Sequence, residues 1–448
     1  MSDAGQATKI SSLNGSWTRI ASAPPAFSAP LPDPMEKFPA LPDGLKGLAQ
    51  GANRSYGKTG LNPGGALWLG AARDRLMEFD RANGVIEVQG GVSLAEIARL
   101  AIPAGWFLPV MPGTAWATVA GAIANDVHGK NHHLYGSFGS CVQSVALARS
   151  DEDCVRTLSR AVSPDLFAAT LGGWGLTGLI HSATLQLKPV RNGQMVVSSQ
   201  RFESLGEFFG LEARRLAAGE EHVVAWVDCM ASGPALGRGI MLSGRHAADG
   251  EESLLRGRAK AGLSAPPFIP GGLLAKPLLQ AFNALYWRQP EKHNETVDAM
   301  KWLFPLDAIG SWNRGYGPRG FYQWQGRFPK TVAPEALADA LRLISKSGQG
   351  SFLAVLKSFG PKKTPAQLTF AEEGVTLALD FPNHGDKTLP LLARLDRLAL
   401  EAGGALYPAK DWRMDAKAFE ASFPQWREWA VLRDPGMSSA FSRQTMGF

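Results

Sequence analysis

The chain has 448 residues, a formal net charge of +6 and 45% apolar against 19% charged residues. That balance excludes a disordered chain, asks for more than one core, and lacks the basic, aromatic-interleaved patch that nucleic acid requires. Three cysteines (Cys141, Cys154, Cys229) with no C-x-x-C pair argue against a disulfide framework or a structural zinc site and suit a reducing, cytoplasmic setting. The N-terminus lacks the basic and apolar regions of a signal peptide, and no apolar run is long enough to span a bilayer.

Residues 1–46 are rich in proline and short polar residues and are expected to wrap the surface of a first domain. The stretch from Gly51 to Gly57 is a glycine-bracketed loop. Asn83-Gly84 before Val85–Val88 predicts a tight hairpin with positive φ at both turn positions. Ser93 and Glu96 form a capping box, so a helix is expected to run to about Ala101. In residues 109–139, Gly113, Gly121, Gly129, Gly136 and Gly139 recur too often for a helix interior or a long strand. Spacing alone fits a loop-rich connection between strands. The block from Asp126 to His133, with one acid, one lysine and three imidazoles, points instead to a cradle for a flat or phosphorylated ligand. Ser163-Pro164 predicts another helix start, Gly172-Gly173 its stop, and 178–189 a strand that closes the first domain. A Gly-x-Gly-x-x-Gly directly after a strand is missing, which argues against a Rossmann fold.

From about 191 the pattern changes to strands at His222–Met230, Gly239–Arg245, Phe321–Phe328, Phe352–Phe359 and Val375–Phe381, with helices near 334–346 and 389–402. Alternation puts Tyr322, Trp324 and Phe328 on one face and Gln323, Gln325 and Arg327 on the other; Thr376, Ala378 and Asp380 likewise oppose Val375, Leu377, Leu379 and Phe381. The polar face is either solvated or the floor of a substrate site. Residues 251–290 carry two acids against five bases and a Pro-Gly break. Leu278, Phe282, Leu285 and Tyr286 follow at helical spacing. This reads as a mobile lid, as an element that meets lipid, or as a surface helix with its stripe buried.

Two chemistries compete for the histidine block. Asp126, His128, His132 and His133 could ligate a metal, but Gly129 works against the helix that would align His128 with His132, so no metal is expected. The other is a flavin site. Gly51-x-x-Arg54-Ser-Tyr56-Gly57, Pro112-Gly-Thr114, the run from Val119 through His133, Gly136-Ser-Phe-Gly139, Gly173-x-Gly-Leu-Thr-Gly178, Trp226, Trp312-Asn-Arg, Gln323-x-Gln325, Lys357 and Tyr407-x-Ala-Lys410-Asp411 occur in order over nearly the whole chain. Together they resemble the FAD-binding oxidoreductases of the vanillyl-alcohol-oxidase type, and within them the members that act on polyprenylphosphoryl ribose.

The resemblance implies an α+β fold with a two-part FAD-binding domain, formed by 1–190 and the return at 405–448. A substrate domain at 191–404, an antiparallel sheet covered by helices, is inserted between them, with its lid near 251–290. It places the cofactor on Asn53, Arg54, Ser55, Tyr56 and Gly57, on Pro112, Gly113, Thr114 and Thr118, and on Gly121, Ala122, Asn125, Asp126, His128, Gly129 and Asn131. Gly178, Ile180, Tyr407 and Lys410 complete that set. Substrate contacts fall to Lys130, Trp226, Gln323, Gln325, Lys357 and Thr376. Arg54 stands where covalent flavoproteins of this type carry the flavin-bonding histidine, which implies non-covalent FAD. Asn53 and Lys58 replace a glycine and an aspartate of the usual first loop, and asparagine tolerates positive φ. The family's active-site cysteine corresponds to Ala378 and its asparagine neighbour to Thr376, so thiol-directed inactivation is expected to be lost.

The expected reaction is dehydrogenation of the 2′-hydroxyl of a polyprenylphosphoryl ribose, with His128, Lys410 and Tyr56 as the catalytic group. A partner reductase would complete epimerisation toward arabinose, with peripheral contact at the inner membrane through 251–290. The alternatives are an FAD oxidase of free alditols or aldonolactones, a non-catalytic scaffold, and for His128 a loop-fixing imidazole.

Overall fold

A computed structural model of the chain describes residues 16–251, 276–361 and 363–448. Its first half is built on a five-stranded antiparallel sheet in the order Leu76–Asp80, Val85–Gln89, Leu179–Gln186, Val142–Ala148, Val155–Ser159. A small parallel sheet of Phe27–Pro30, Ala66–Leu69 and Gly47–Gln50 accompanies it. The helix Leu94–Ala101 starts at the capping box: Glu96 N donates to Ser93 Oγ at 3.2 Å and Ser93 N to Glu96 Oε2 at 2.9 Å. Its Leu94, Ile97, Ala98 and Ala101 are buried, as an amphipathic helix on a sheet requires.

Two local expectations change. In the hairpin only Gly84 has positive φ, at 66°. Asp80 Oδ1 accepts from the amides of Ala82 and Asn83 at 2.9 and 3.1 Å, so a carboxylate stabilises a wider loop than a two-residue turn. In the glycine-rich stretch, Gly121 lies inside a short helix, Val119–Ala124, capped by Thr118. A Cβ there would lie 3.1 Å from Thr118 Oγ1, so the glycine allows the cap to sit close.

The second half is organised by an eight-stranded antiparallel sheet. Its order is Lys292–Asp298, Gln194–Phe202, Gly239–His246, His222–Val227, Ala354–Phe359, Gly374–Pro382, Phe321–Phe328, Ala405–Leu406. Helices Leu205–Ala217, Ala333–Ser347 and Thr388–Glu401 pack on its apolar face. Tyr322, Trp324, Phe328, Leu377 and Leu379 join that core with Leu337, Leu341 and Leu395. Period-two alternation then turns Gln323, Gln325, Thr376 and Asp380 the other way. Within the predicted lid, 252–275 lie outside the described residues. The helix Lys276–Trp287 that follows buries Leu279 and Asn283, while Leu278, Phe282 and Leu285 of the anticipated stripe are exposed. Among the described residues no helix is long and apolar enough to cross a membrane.

The last forty residues pack back on the first half. Rings of Phe419, Phe423, Trp429 and Phe441 surround Trp174, with centroids 5.3–5.6 Å away. Gly47 N donates to Gly436 O at 2.7 Å and Ser438 N to Gly47 O at 2.9 Å. Trp174 is itself held at φ 52°, a conformation a bulky residue keeps only where the surroundings demand it. Trp174→Ala is expected to lower unfolding stability by about 3–5 kcal/mol and to expose residues after 411 to limited proteolysis. An unchanged denaturation midpoint with an intact tail would contradict this docking.

Candidate active site

Between the polar face of the large sheet and the glycine-rich loops of the first half lies a cleft of about 900 Å³. Its size suits a large organic cofactor together with part of a substrate. One wall comes from Asn53–Tyr56, Pro112–Thr114, Thr118, Gly121, Asn125, Gly178 and Ile180. The floor comes from Gln323, Gln325, Lys357, Thr376, Ala378 and Asp380, and the end is closed by His128, Tyr407 and Lys410.

The wall is shaped for close approach by a ligand. Asn53 has φ 50°, the left-handed turn its amide side chain tolerates. A Cβ on Gly113 would meet nothing within 4 Å and would project into open space. Two buried acceptors in the cleft, Asn125 Oδ1 and Gln323 Oε1, have no hydrogen-bond partner, so both await N–H or O–H donors. These features fit a flavin dinucleotide, which carries such donors and whose diphosphate uses exposed backbone.

Not every loop donor faces the cleft. Tyr56 N and Gly57 N donate to Ala409 O at 2.8 and 3.2 Å, which bolts the first loop to the C-terminal return. A Cβ on Gly57 would lie 2.2 Å from Asp411 O, so this glycine serves the seam rather than the ligand. Thr114 Oγ1 and Ala115 N donate to Asp307, both at 2.8 Å, which ties the 113–115 loop to the second half of the chain.

At the closed end, Lys357 Nζ donates to His128 Nδ1 at 2.8 Å and to Gly129 O at 2.9 Å. Burial pushes both groups well below their usual ranges, and the neighbouring cations push further, so the imidazole is held neutral. Gln325 Nε2 lies 3.3 Å from His128 Nε2 and donates to Thr376 Oγ1 at 3.2 Å, so these side chains form one network. The His128 ring packs on Phe359 and Tyr407. Lys410 Nζ sits 3.7 Å from the centroid of the Tyr56 ring, and burial pushes it down to about 8 against the opposing pull of Asp380. Asp380 is fully buried and pushed up to about 6. Its carboxylate accepts from Tyr316 Oη at 3.1 Å and Gln323 Nε2 at 2.6 Å.

Seven residues assigned by resemblance lie behind the walls. Asp126 accepts from Ser137 Oγ, Gly139 N and Thr369 Oγ1 at 2.7–2.9 Å and organises the loop. Asn131 donates to Pro109 O at 2.8 Å, Ala122 is buried within its helix, and Gly129 backs onto Met111. Gly57 belongs to the seam already described. Lys130 Nζ donates to Leu303 O at 2.5 Å beside Trp302, and Trp226 Nε1 donates to Phe352 O at 2.9 Å. The four residues of the metal alternative do not form a common ligand set among the described residues: Asp126 accepts from two hydroxyls and an amide, His132 packs on Phe359 and His133 faces Glu220 O at 3.1 Å. The metal-like grouping among the described residues is Glu221, His222 and His246, and there Lys188 Nζ bonds both Glu221 and His246.

Sequence reasoning put Asp380 on the polar face but gave it no role, and it missed Tyr316 and Asp307. Asp380 shares its strand face with Thr376, so alternation carried the signal; Asp307 lies in a short helical turn without a motif, and Tyr316 ends the turn opened by Trp312-Asn-Arg.

Residues 40–158 match the family described as FAD binding domain. Over 402 residues, 88% of this chain and 87% of the relative, the sequence is 35% identical to decaprenylphosphoryl-beta-D-ribose oxidase of Mycolicibacterium smegmatis. It is 33% identical over 371 residues, 78% of this chain and 98% of the relative, to an uncharacterized protein in the mprA 5′ region of Streptomyces coelicolor. An alditol oxidase of Streptomyces shares 30% over 127 residues, 28% of this chain and 30% of that protein. Glycine loops, a floor of polar side chains and full-length similarity agree: the chain belongs to the FAD-binding oxidoreductases of the decaprenylphosphoryl-beta-D-ribose oxidase type.

Proposed function

We propose that this protein oxidises the 2′-hydroxyl of a polyprenylphosphoryl-β-D-ribose to the 2′-keto sugar, the first half of an epimerisation toward arabinose that a partner reductase completes. The observation that carries this reading is the convergence of Lys410, Tyr56, His128, Lys357 and Gln325 on one cleft in a chain similar to the mycobacterial oxidase along almost its whole length. Similarity to the alditol oxidase covers under a third of either protein, which leaves free sugars the weaker alternative.

FAD, when bound, supplies the acceptor for the hydride leaving the carbinol carbon. The hydroxyl proton needs a base within the cleft. His128 is a poor one, because protonating it would place a cation in a buried site beside Lys357 and Lys410. Lys410, pushed down to about 8, has a substantial neutral fraction near physiological pH. In this reading its Nζ takes the hydroxyl proton and becomes an ammonium over the electron-rich face of Tyr56. His128 and Lys357 hold Gln325 and the end of the cleft in place, and Gln323 and Gln325 orient the sugar. The inserted half supplies this floor as a substrate domain, with lipid contact through 251–290.

Anaerobic titration with polyprenylphosphoryl ribose should bleach the bound flavin, whereas alditols should leave its visible spectrum unchanged; the reverse pattern would refute the substrate assignment. Because Lys410 works as a base only when neutral, kcat/KM should rise with pH to a plateau, with a midpoint near 8. Lys410→Met should lower kcat about 10²–10⁴-fold and remove that limb while flavin stays bound. With Ala378 in the floor and Cys141 and Cys229 buried elsewhere, thiol-directed reagents should leave turnover intact.

A further inference from the structure

Among the described residues, the hydrogen bonds to the Asp380 carboxylate come from neutral donors, and no cation pairs with it in direct contact. Tyr316 Oη and Gln323 Nε2 donate to its two oxygens at 3.1 and 2.6 Å. Tyr316 stacks on Phe321, centroids 4.2 Å apart, so that donor is locked in place. The groups facing the carboxylate are Tyr316, Gln323, the Tyr56 phenol and Lys410; of these only Lys410 is a cation. An anion held without solvent and with two donors fixed upon it has been prepared for a charge elsewhere. That charge is Lys410, itself tied down: the turn at 407–411 hangs from Gln325 O through Tyr407 N at 3.1 Å and from the first loop through Tyr56 N on Ala409 O at 2.8 Å.

We propose that Asp380 is the positioning residue of this active site: its carboxylate acts through Lys410, stabilising the ammonium that Lys410 becomes on taking the substrate's hydroxyl proton. The inference rests on Lys410 being the proton acceptor. In the step, the substrate O–H bond breaks and an N–H bond forms at Nζ, the C–H electron pair leaves with the hydride to FAD, and the carbinol carbon is oxidised to a ketone. The positive charge left on Nζ appears in a buried site, where an opposing carboxylate is worth far more than in water. The ordering of the two midpoints suits this role. Asp380, at about 6, is an anion across the whole range in which Lys410, at about 8, changes charge. Tyr316 and Gln323 keep it so, since both donate to the ionised form.

The test is the titration of Lys410 itself, read without turnover. Competitive acetylation of the flavin-loaded enzyme across pH, with Lys410 quantified by mass spectrometry, should give a midpoint near 8 in the wild type. Asp380→Asn, which removes charge but not shape, should move it down by about one pH unit, move the kcat/KM limb down with it, and lower the plateau at least tenfold. Asp380→Glu should restore much of both. An unmoved Lys410 midpoint in Asp380→Asn overturns the proposal, as does an equal shift in Tyr316→Phe, which keeps the charge. If Asp380→Asn loses native circular dichroism, Lys410→Met puts the same question in reverse: the Asp380 midpoint, followed by carboxyl ¹³C NMR, should rise above about 6, and no rise refutes the coupling. A shifted labelling midpoint in an enzyme that no polyprenyl sugar reduces would refute the substrate reading alone.

Discussion

The structure depends on one seam. At residues 407–411 the chain leaves the large sheet and crosses to the first half, and Ala409 O receives the amides of Tyr56 and Gly57. Three things follow from these two hydrogen bonds. The first glycine loop is held open toward the cleft, Lys410 is suspended over Tyr56, and the two sheets face each other at a separation that leaves room for a cofactor. Glycine at 57 is a consequence: a side chain would occupy the place of Asp411 O. The aromatic cage around Trp174 performs the same task on a larger scale, anchoring the tail that carries the seam.

Around that seam the protein places titratable groups where water does not reach them, and burial then decides their states. His128 and Lys357 form a buried, hydrogen-bonded pair, both pushed below their usual ranges, that shapes the end of the cleft. Lys410 and Asp380 are pushed toward each other from opposite ends of the scale, the lysine down and the carboxylate up, which is how a buried site brings a base into the working range. Asp307 is held by the hydroxyl and amide of the 113–115 loop, and Lys188 pairs with Glu221.

Much of this could be read in the sequence where the signal is local. Alternation in Phe321–Phe328 and Gly374–Pro382 gave the strands, their buried faces and a polar floor; Ser93 and Glu96 gave a helix start. Asn53 takes the positive φ its chemistry allows. What could not be read is where long side chains end. Lys130 and Trp226 sit in sequence surroundings that suggest a binding site, yet their polar atoms donate to the carbonyls of Leu303 and Phe352, each more than a hundred residues away. Asp126 is satisfied by two hydroxyls and an amide brought together only by folding. Asp307 and Tyr316 come from turns without periodicity and enter the site through tertiary contact alone.

The most direct test of the seam is the equilibrium dissociation constant for FAD in Gly57→Ala, measured by fluorescence quenching on protein with native circular dichroism. The added methyl must displace the carbonyl of Asp411, 2.2 Å from its Cβ position, and so spread the loop from the C-terminal return. An overpacking cost of about 1–3 kcal/mol predicts FAD bound at least about fivefold more weakly. Unchanged affinity in a folded Gly57→Ala protein would mean that the cleft does not depend on this junction.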